Sequence, residues 1–215
     1  MLPPTKKLLV EGTDDMYAVI NLMKGHVPWP DNDRPVTVKV LGGSSNILNP
    51  SNISTHIKES GLKTLGIMLD ADTDCFARWQ SVHGACLPHF PNMPALLPRD
   101  GLVIDYNGKR LGVWIMPDNN SNGMLETFLP MLIPSTDTVW GHAQASVTEA
   151  KNLGAPFGAL DVDKANIHTW LAWQKSPGRP FGTALTEKIL DPGAPDAHLF
   201  VQWFCRLYDI CSPTV

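Results

Sequence analysis

The amino-acid sequence predicts an α/β protein: a mainly parallel sheet flanked by helices, with an antiparallel hairpin and a helical C-terminal extension. Short apolar runs that end in glycine or acid alternate with helical segments in the first half, as in parallel sheets. The dipeptide Asn107-Gly108 separates two further apolar runs, which is a strong hairpin signal. From Gly123 onward the apolar spacing becomes helical.

In the first half, three strands are each followed by a helix. The apolar run from Lys6 to Glu11 predicts the first strand, and Thr13 or Asp14 is suited to cap the helix after it. β-branched residues predict the second strand, from Val36 to Leu41, which Gly42-Gly43-Ser44-Ser45 ends. The elements predicted next are a helix from Asn52 to Ser60, a strand from Thr64 to Leu69 and a helix from Thr73 to His83.

The second half begins with the hairpin, whose strands are predicted over Gly101 to Tyr106 and Arg110 to Met116. The helices expected after it are Met124 to Ile133, Thr138 to Leu153, Val162 to Gln174 and Ala197 to Tyr208. Glycine and proline punctuate the gaps, as in Ser176-Pro177-Gly178-Arg179-Pro180. We therefore expect a core domain over residues 1–134 and a helical extension over residues 135–215, packed on that core.

The composition describes a globular chain of 215 residues, 43% hydrophobic and 18% charged. A formal net charge of −4 supplies no global attraction to nucleic acid or to anionic lipid. Cys75, Cys86, Cys205 and Cys211 show no CxxC spacing, and no apolar signal segment follows Met1. Reduced thiols, a cytoplasmic location and no membrane span are the expectations.

Acidic residues follow three of the predicted strands. Because the carboxyl ends of parallel strands meet at one edge of a sheet, we expect these side chains to lie close together. Each group also has a structural interpretation, since acids complement helix dipoles, cap helices and begin Asx turns. The candidates are Glu11 and Asp15 at the first strand, Asp70 and Asp72 at the third, and Asp118 and Glu126 after the hairpin.

Carboxylates gathered in this way predict a divalent metal site. Asp70 and Asp72 point to one side of the chain if the strand continues through them, and like charges that close repel unless a cation neutralises them. Hard oxygen ligands favour Mg²⁺, Mn²⁺ or Ca²⁺ over zinc, and we expect Mg²⁺ or Mn²⁺. Two-metal phosphoryl transfer uses a carboxylate set of this kind.

These residues resemble the Toprim domain shared by topoisomerases, bacterial primases and overcoming-lysogenisation-defect nucleases. The similarity covers roughly Lys6 to Phe128. Within that superfamily, Val10-Glu11-Gly12-x-x-Asp15 and Gly123-Met124-Leu125-Glu126 look more like the nuclease branch. Over its whole length the chain is similar to small uncharacterised bacterial Toprim-like proteins.

The resemblance implies metal-dependent hydrolysis of phosphodiester bonds in nucleic acid. It implies that Glu11 is a general acid/base or metal ligand, that Asp70 and Asp72 hold Mg²⁺ with Asp15, and that Asp118 and Glu126 contribute to a second site. Asp74 is a further outer ligand.

The chain also departs from the characterised families. No tyrosine lies in a topoisomerase context, and no Gly-x-x-x-x-Gly-Lys-Ser/Thr loop is present. An ATPase would therefore have to act as a separate protein partner. The alternative function is a non-catalytic subunit that binds a nucleotide, nucleic acid or a partner protein, and a nucleotide phosphotransferase is a third.

Two further groups of residues leave a choice open. A nuclease of this type benefits from a lysine beside the transferring phosphate, and spacing does not decide among Lys151, Lys164 and Lys175. The aromatic residues of the last part of the chain suit base stacking or core packing, and their helical spacing favours the core. They are Trp170, Trp173, Phe200, Trp203 and Phe204.

Overall fold

A computed structural model describes residues 5–30 and 32–210. Residues 1–4, 31 and 211–215, and with them Cys211 and the outer ends of both predicted domains, lie outside the described residues. The strands are β1 (Lys6–Val10), β2 (Thr37–Val40), β3 (Thr64–Asp70), β4 (Leu102–Tyr106) and β5 (Lys109–Met116).

The helices of the described residues lie on both faces of the sheet. In chain order they are α1 (Thr13–Lys24), α2 (Ser44–Ile47), α3 (Pro50–Lys58), α4 (Cys75–Cys86), α5 (Leu125–Phe128), α6 (Trp140–Asn152), α7 (Val162–Ala172), α8 (Phe181–Thr186) and α9 (His198–Tyr208). Single 3₁₀ segments occupy Leu129–Leu132, Ala159–Asp161 and Pro195–Ala197.

The five strands form one sheet in the order β2-β1-β3-β5-β4. All neighbouring pairs are parallel except β4 and β5, which are antiparallel and joined through Asn107-Gly108. This arrangement confirms the predicted mainly parallel α/β sheet with a hairpin. Because β5 pairs with β3 from Thr64↔Arg110 to Asp70↔Met116, β1, β3 and β5 lie side by side and end at the same edge.

The sheet separates two hydrophobic cores, because successive side chains of a strand point to opposite faces. On one face, Leu8, Met68 and Trp114 pack with α1 and the C-terminal helices. On the other face, Leu9, Ile67 and Ile115 pack with α3 and α4. The result is three layers, with the sheet in the middle.

Helix α9 lies directly on the sheet. The Trp203 indole N–H donates to the Leu102 carbonyl at 2.9 Å, and the Tyr208 hydroxyl donates to the Lys7 carbonyl at 2.9 Å. Gly66 and Gly112, which face each other across β3 and β5, leave room for this helix. A Cβ atom at either position would lie well inside contact distance of Leu207 or Tyr208.

The aromatic residues confirm the prediction of core packing, with one exception. Trp170, Phe200, Trp203 and Phe204 are essentially completely buried. Trp173 is 44% exposed and its ring stacks on His142, with 5.3 Å between the ring centroids.

Three local features differ from the sequence predictions. The glycine-rich segment after β2 continues into the short helix α2, and the segment after Pro180 forms α8, where only a break was expected. The predicted helix from Met124 to Ile133 is instead α5 followed by a 3₁₀ segment, because Pro130 cannot donate to an α-helical ladder.

The remaining predictions concern the state of the cysteines and membrane-spanning helices. Cys75 and Cys86 are free and buried, whereas Cys205 takes part in a disulfide, so the prediction of reduced thiols was wrong for that residue. Among residues 5–30 and 32–210, no helix combines the length and the hydropathy that a membrane crossing requires.

Candidate carboxylate site

The candidate site lies at the edge where β1, β3 and β5 end. Glu11 directly follows β1, and its Oε1 atom accepts a hydrogen bond from the backbone N–H of Asp70, the last residue of β3, at 3.0 Å. Asp70 Oδ1 in turn accepts from the N–H of Leu125 at 3.0 Å. Two strand ends and the start of α5 are therefore held together through carboxylates.

The first turn of α1 adds a third acid. Asp15 is buried, and its Oδ2 atom accepts from the Gly12 N–H at 2.8 Å, which satisfies one of the backbone donors before the helix. The structural interpretation of Asp15 was that it complements the helix dipole, and the structure places it in the first turn of α1 with this additional capping hydrogen bond. The same carboxylate nevertheless lies close enough to Glu11 and Glu126 for their charges to act on it.

Burial makes two of these carboxylates, Asp70 and Asp15, difficult to ionise. The pKa of Asp70 is raised to about 8, mainly because burial penalises the charged form, and then because of the charges of Asp15, Glu11, Glu126 and Asp72. Burial is also the main reason that the pKa of Asp15 is raised to about 6, although the Gly12 hydrogen bond opposes the change. A nearby cation would favour the charged form of both groups.

β3 does not continue to Asp72, so the condition under which Asp70 and Asp72 would point to one side of a strand is not met. The strand ends at Asp70, and Asp72 has a φ of 54°, in the left-handed region. Its N–H donates to the Gly123 carbonyl at 2.8 Å and its carbonyl accepts from the Gly123 N–H at 2.9 Å. This bridge ties the Asp72 turn to the loop before α5, while Asp74 Oδ1 caps α4 through the Ala77 N–H.

Arg78 is a residue that the sequence analysis missed. It lies in the first turn of α4, largely buried, and its Nη2 atom pairs with Asp72 Oδ2. Its Nε atom is buried without a hydrogen-bond partner among the described residues. The available signal was an arginine six positions after Asp72, one turn into the helix that the acidic segment begins.

Glu126 belongs to the carboxylate set, and a lysine reaches it. Lys164, near the start of α7, places Nζ 3.4 Å from Glu126 Oε1 and is 52% exposed. Lys151, by contrast, bonds to the carbonyls of Ala155 and Phe157. Of the three candidate lysines, Lys164 is thus the one with a described contact to a predicted site residue.

Asp118 accepts hydrogen bonds within the loop that it begins. Its Oδ1 atom accepts from the N–H groups of Asn120 at 3.1 Å and Ser121 at 2.7 Å, and Oδ2 accepts from the Ser121 hydroxyl at 3.0 Å. This is the Asx turn that was the structural interpretation. Its charge, after burial, helps to raise the pKa of Cys75.

The carboxylate oxygens suit a hard divalent cation, although the described side chains do not form a complete coordination site. Within the described part of the chain, Glu11, Asp15 and Asp70 each use a carboxylate oxygen in a backbone hydrogen bond. In that same part, no three His, Cys, Asp or Glu side chains are arranged closely enough to hold a metal ion. Side-chain rotation would therefore have to bring these oxygens onto one ion.

Fold and site together define a three-layer α/β protein with buried carboxylates at the carboxyl edge of its parallel strands. The chain belongs to the family described as "Protein of unknown function (DUF3226)", whose profile matches residues 5–209. Comparison with the curated proteins gives no match, and neither does comparison with the solved structures.

Proposed function

We propose that the protein is a Toprim-like, Mg²⁺- or Mn²⁺-dependent nuclease that hydrolyses phosphodiester bonds at the carboxylate site. One observation carries the proposal: Glu11, Asp70 and the start of α5 are linked by hydrogen bonds at the carboxyl edge of adjacent parallel strands. This edge is where open α/β sheets bind their ligands.

In the proposed site, Glu11, Asp15 and Asp70 hold the cation, with Glu126 and Asp72 at its margin. A bound divalent cation would lower the pKa of a water molecule and neutralise charge on the phosphate. The backbone hydrogen bonds of Glu11 and Asp70 keep both carboxylates at this sheet edge, from which side-chain rotation would bring them onto the ion. Asp118, which is held in a turn of its own, remains a proposed contributor to a second metal site, and Asp74, which caps α4, remains a proposed outer ligand.

A metal-binding assay tests the first part of the proposal. We expect the unaltered protein to bind Mg²⁺ or Mn²⁺ in calorimetry, and the Asp70→Ala/Asp72→Ala protein to bind at least about tenfold more weakly, a loss of roughly 1.4 kcal/mol. An Asp161→Ala protein, altered at an exposed acid outside the set, is the matched control. Equal affinity in all three proteins would overturn the metal proposal.

Lys164 is the lysine we propose to stabilise charge on the transferring phosphate. Its Nζ atom is close to Glu126 and half exposed, so it can reach a substrate bound at the same edge. With Mn²⁺ and a labelled oligonucleotide, Lys164→Met should lower kcat by about 100-fold and leave Mn²⁺ affinity within twofold, and Lys164→Arg should restore part of the rate. Lys151→Met is the control, and an equal loss in that protein would contradict the assignment.

A non-catalytic binding subunit is the second candidate. It is favoured by the pairing of Asp72 with Arg78 and of Glu126 with Lys164, which leaves fewer acids for a metal. Single- and double-stranded DNA and RNA incubated with Mn²⁺ distinguish the two functions. Cleavage supports the nuclease, whereas inactivity both alone and with an added ATPase partner supports the binding subunit.

A further inference from the structure

A cleft lies between α1 and α8, outside the carboxylate set. Its volume is about 430 Å³, within the range of small-molecule sites in proteins. Its lining residues come from both helices and the segment before α8: Asp14, Tyr17, Asn21, Pro180, Gly182, Thr183, Thr186 and Glu187. A helix rises about 1.5 Å and turns about 100° per residue, so Tyr17 is about 3 Å further along α1 than Asp15 and on a different face of the helix.

The two helices are held at a close and defined separation. A Cβ atom on Gly182 would lie 2.8 Å from Asn21 Nδ2 and 2.9 Å from Tyr17 Cβ, so only glycine allows this approach. Asn21 donates to the Tyr17 carbonyl at 2.8 Å and accepts from the Thr186 hydroxyl at 3.1 Å. The polar atoms of Asn21 are therefore used within the protein and position the wall of the cleft.

The groups that the cleft offers a ligand include an aromatic ring and carboxylate acceptors. The Tyr17 side chain is 52% exposed although it lines a cleft, which leaves its ring accessible for stacking. Asp14 and Glu187 contribute carboxylates, and Arg179 pairs with Glu187 at 3.2 Å. Acceptors of this kind repel phosphate and favour a ligand that presents N–H groups.

We propose that this cleft binds a nucleobase that carries an exocyclic amino group, such as cytosine or adenine, by stacking on Tyr17 and donating to Asp14. The inference rests on the proposed function, because it makes the cleft a subsite for a nucleotide adjoining the bond to be cut. The phosphate of that nucleotide points away from the acids of the cleft. Uracil and thymine lack the amino group and bind more weakly.

Nucleosides alone test this inference without metal and without cleavage. Cytidine, adenosine, uridine and thymidine are titrated into the unaltered protein in EDTA and followed by ligand-observed NMR. We expect cytidine and adenosine to bind more tightly than uridine and thymidine. Tyr17→Ala should weaken cytidine binding at least about fivefold, since stacking on an aromatic side chain contributes about 1–3 kcal/mol per base, and Tyr17→Phe should retain it.

Two further variants make the result specific. Asp14→Asn should reduce the preference for cytidine over uridine, because the amide also offers a donor to the carbonyl group of uracil. Phe76→Ala removes another exposed aromatic side chain, on α4, and should leave binding unchanged. Equal binding of all four nucleosides, no binding, or tighter binding of spermidine than of cytidine would overturn the inference. Nucleoside binding without cleavage would overturn only the nuclease proposal, and cleavage without nucleoside binding only the subsite.

Discussion

An Asp70→Asn protein is expected to be more stable than the unaltered protein at pH 8 and to have lost metal-dependent cleavage. The pKa of Asp70 is raised to about 8 in the folded state, mainly by burial and then by the neighbouring acids. In the unfolded chain the group ionises near its ordinary pKa of about 4. The folded state therefore binds the Asp70 proton more tightly than the unfolded state does.

The direction of the pH dependence follows from that difference. Below about pH 4 the Asp70 carboxyl is protonated in both the folded and the unfolded state, and it causes no loss of stability. As the pH rises from about 4 to about 8, the unfolded state releases the proton first, and the free energy of unfolding falls. Asp15, with a folded-state pKa of about 6, adds a fall of the same sign over a narrower range. Divalent cation should reverse both losses by stabilising the ionised carboxylates.

Urea unfolding in EDTA, followed by tryptophan fluorescence at pH 5, 6, 7 and 8, measures the effect. The amide introduced by Asp70→Asn keeps an oxygen for the Leu125 N–H but cannot ionise, so the variant should gain about 2–4 kcal/mol over the unaltered protein at pH 8. In this variant, most of the difference in the free energy of unfolding between pH 6 and pH 8 should disappear. Asp33→Asn, altered at an exposed acid in the loop before β2, is the control and should show the unaltered profile.

The same variant links stability to activity. With Mn²⁺ present, Asp70→Asn should lose the stabilisation by metal and at least about 10³-fold in cleavage rate, because a neutral amide replaces a central carboxylate. A variant that is more stable and inactive supports a site in which burial, together with the neighbouring acids, destabilises the ionised carboxylate. A variant that is no more stable than the unaltered protein at pH 8 contradicts that account.

Replacing Gly66 with alanine is expected to destabilise the fold by about 3 kcal/mol, the upper part of the usual range for overpacking a core. Gly66 lies on β3 under α9, and its added Cβ would overlap the Tyr208 hydroxyl and approach Leu8 Cδ1 at 2.8 Å. The Tyr208 ring cannot easily move, because it is completely buried and its hydroxyl donates to the Lys7 carbonyl. The helix would have to shift from the sheet.

Glycines elsewhere in the chain provide matched controls for the same substitution. At Gly84 in α4 and Gly141 in α6, an added Cβ meets no atom of the described residues within 4 Å. Alanine there should stabilise the protein by up to about 1 kcal/mol through helix propensity. The midpoints of urea unfolding of the three variants test these expectations. A Gly66→Ala protein as stable as Gly84→Ala would contradict the close packing of α9 on the sheet.

The main secondary structure was predictable because it is encoded by local patterns. Apolar runs of the right length gave the strand positions, and Asn107-Gly108 gave the hairpin. Helices α2 and α8 were not predicted, because each has only four to six residues and follows glycine or proline. Short helices of this kind depend on tertiary packing more than on propensity.

The site was predictable in outline for a similar reason. Acids that follow strands must reach the sheet edge when the strands are parallel and adjacent, and this places Glu11 beside Asp70. The direction of a side chain after the strand ends is not local information. Asp72 turns to Arg78, and Asp118 closes its own Asx turn, through contacts that form only in the folded chain.

By itself, the sequence determined the α/β class and the strand ends at which acids occur, because hydrophobic periodicity and turn residues act over a few positions. The tertiary structure alone decided which acids share a charged environment, that Lys164 reaches Glu126, and that α1 and α8 enclose a cleft. The physical reason is that pKa shifts, ion pairs and clefts depend on distances between residues far apart in the chain. Burial of Asp70 and Asp15, set by the packing of the sheet edge, converts acidic turns into a strained set of carboxylates.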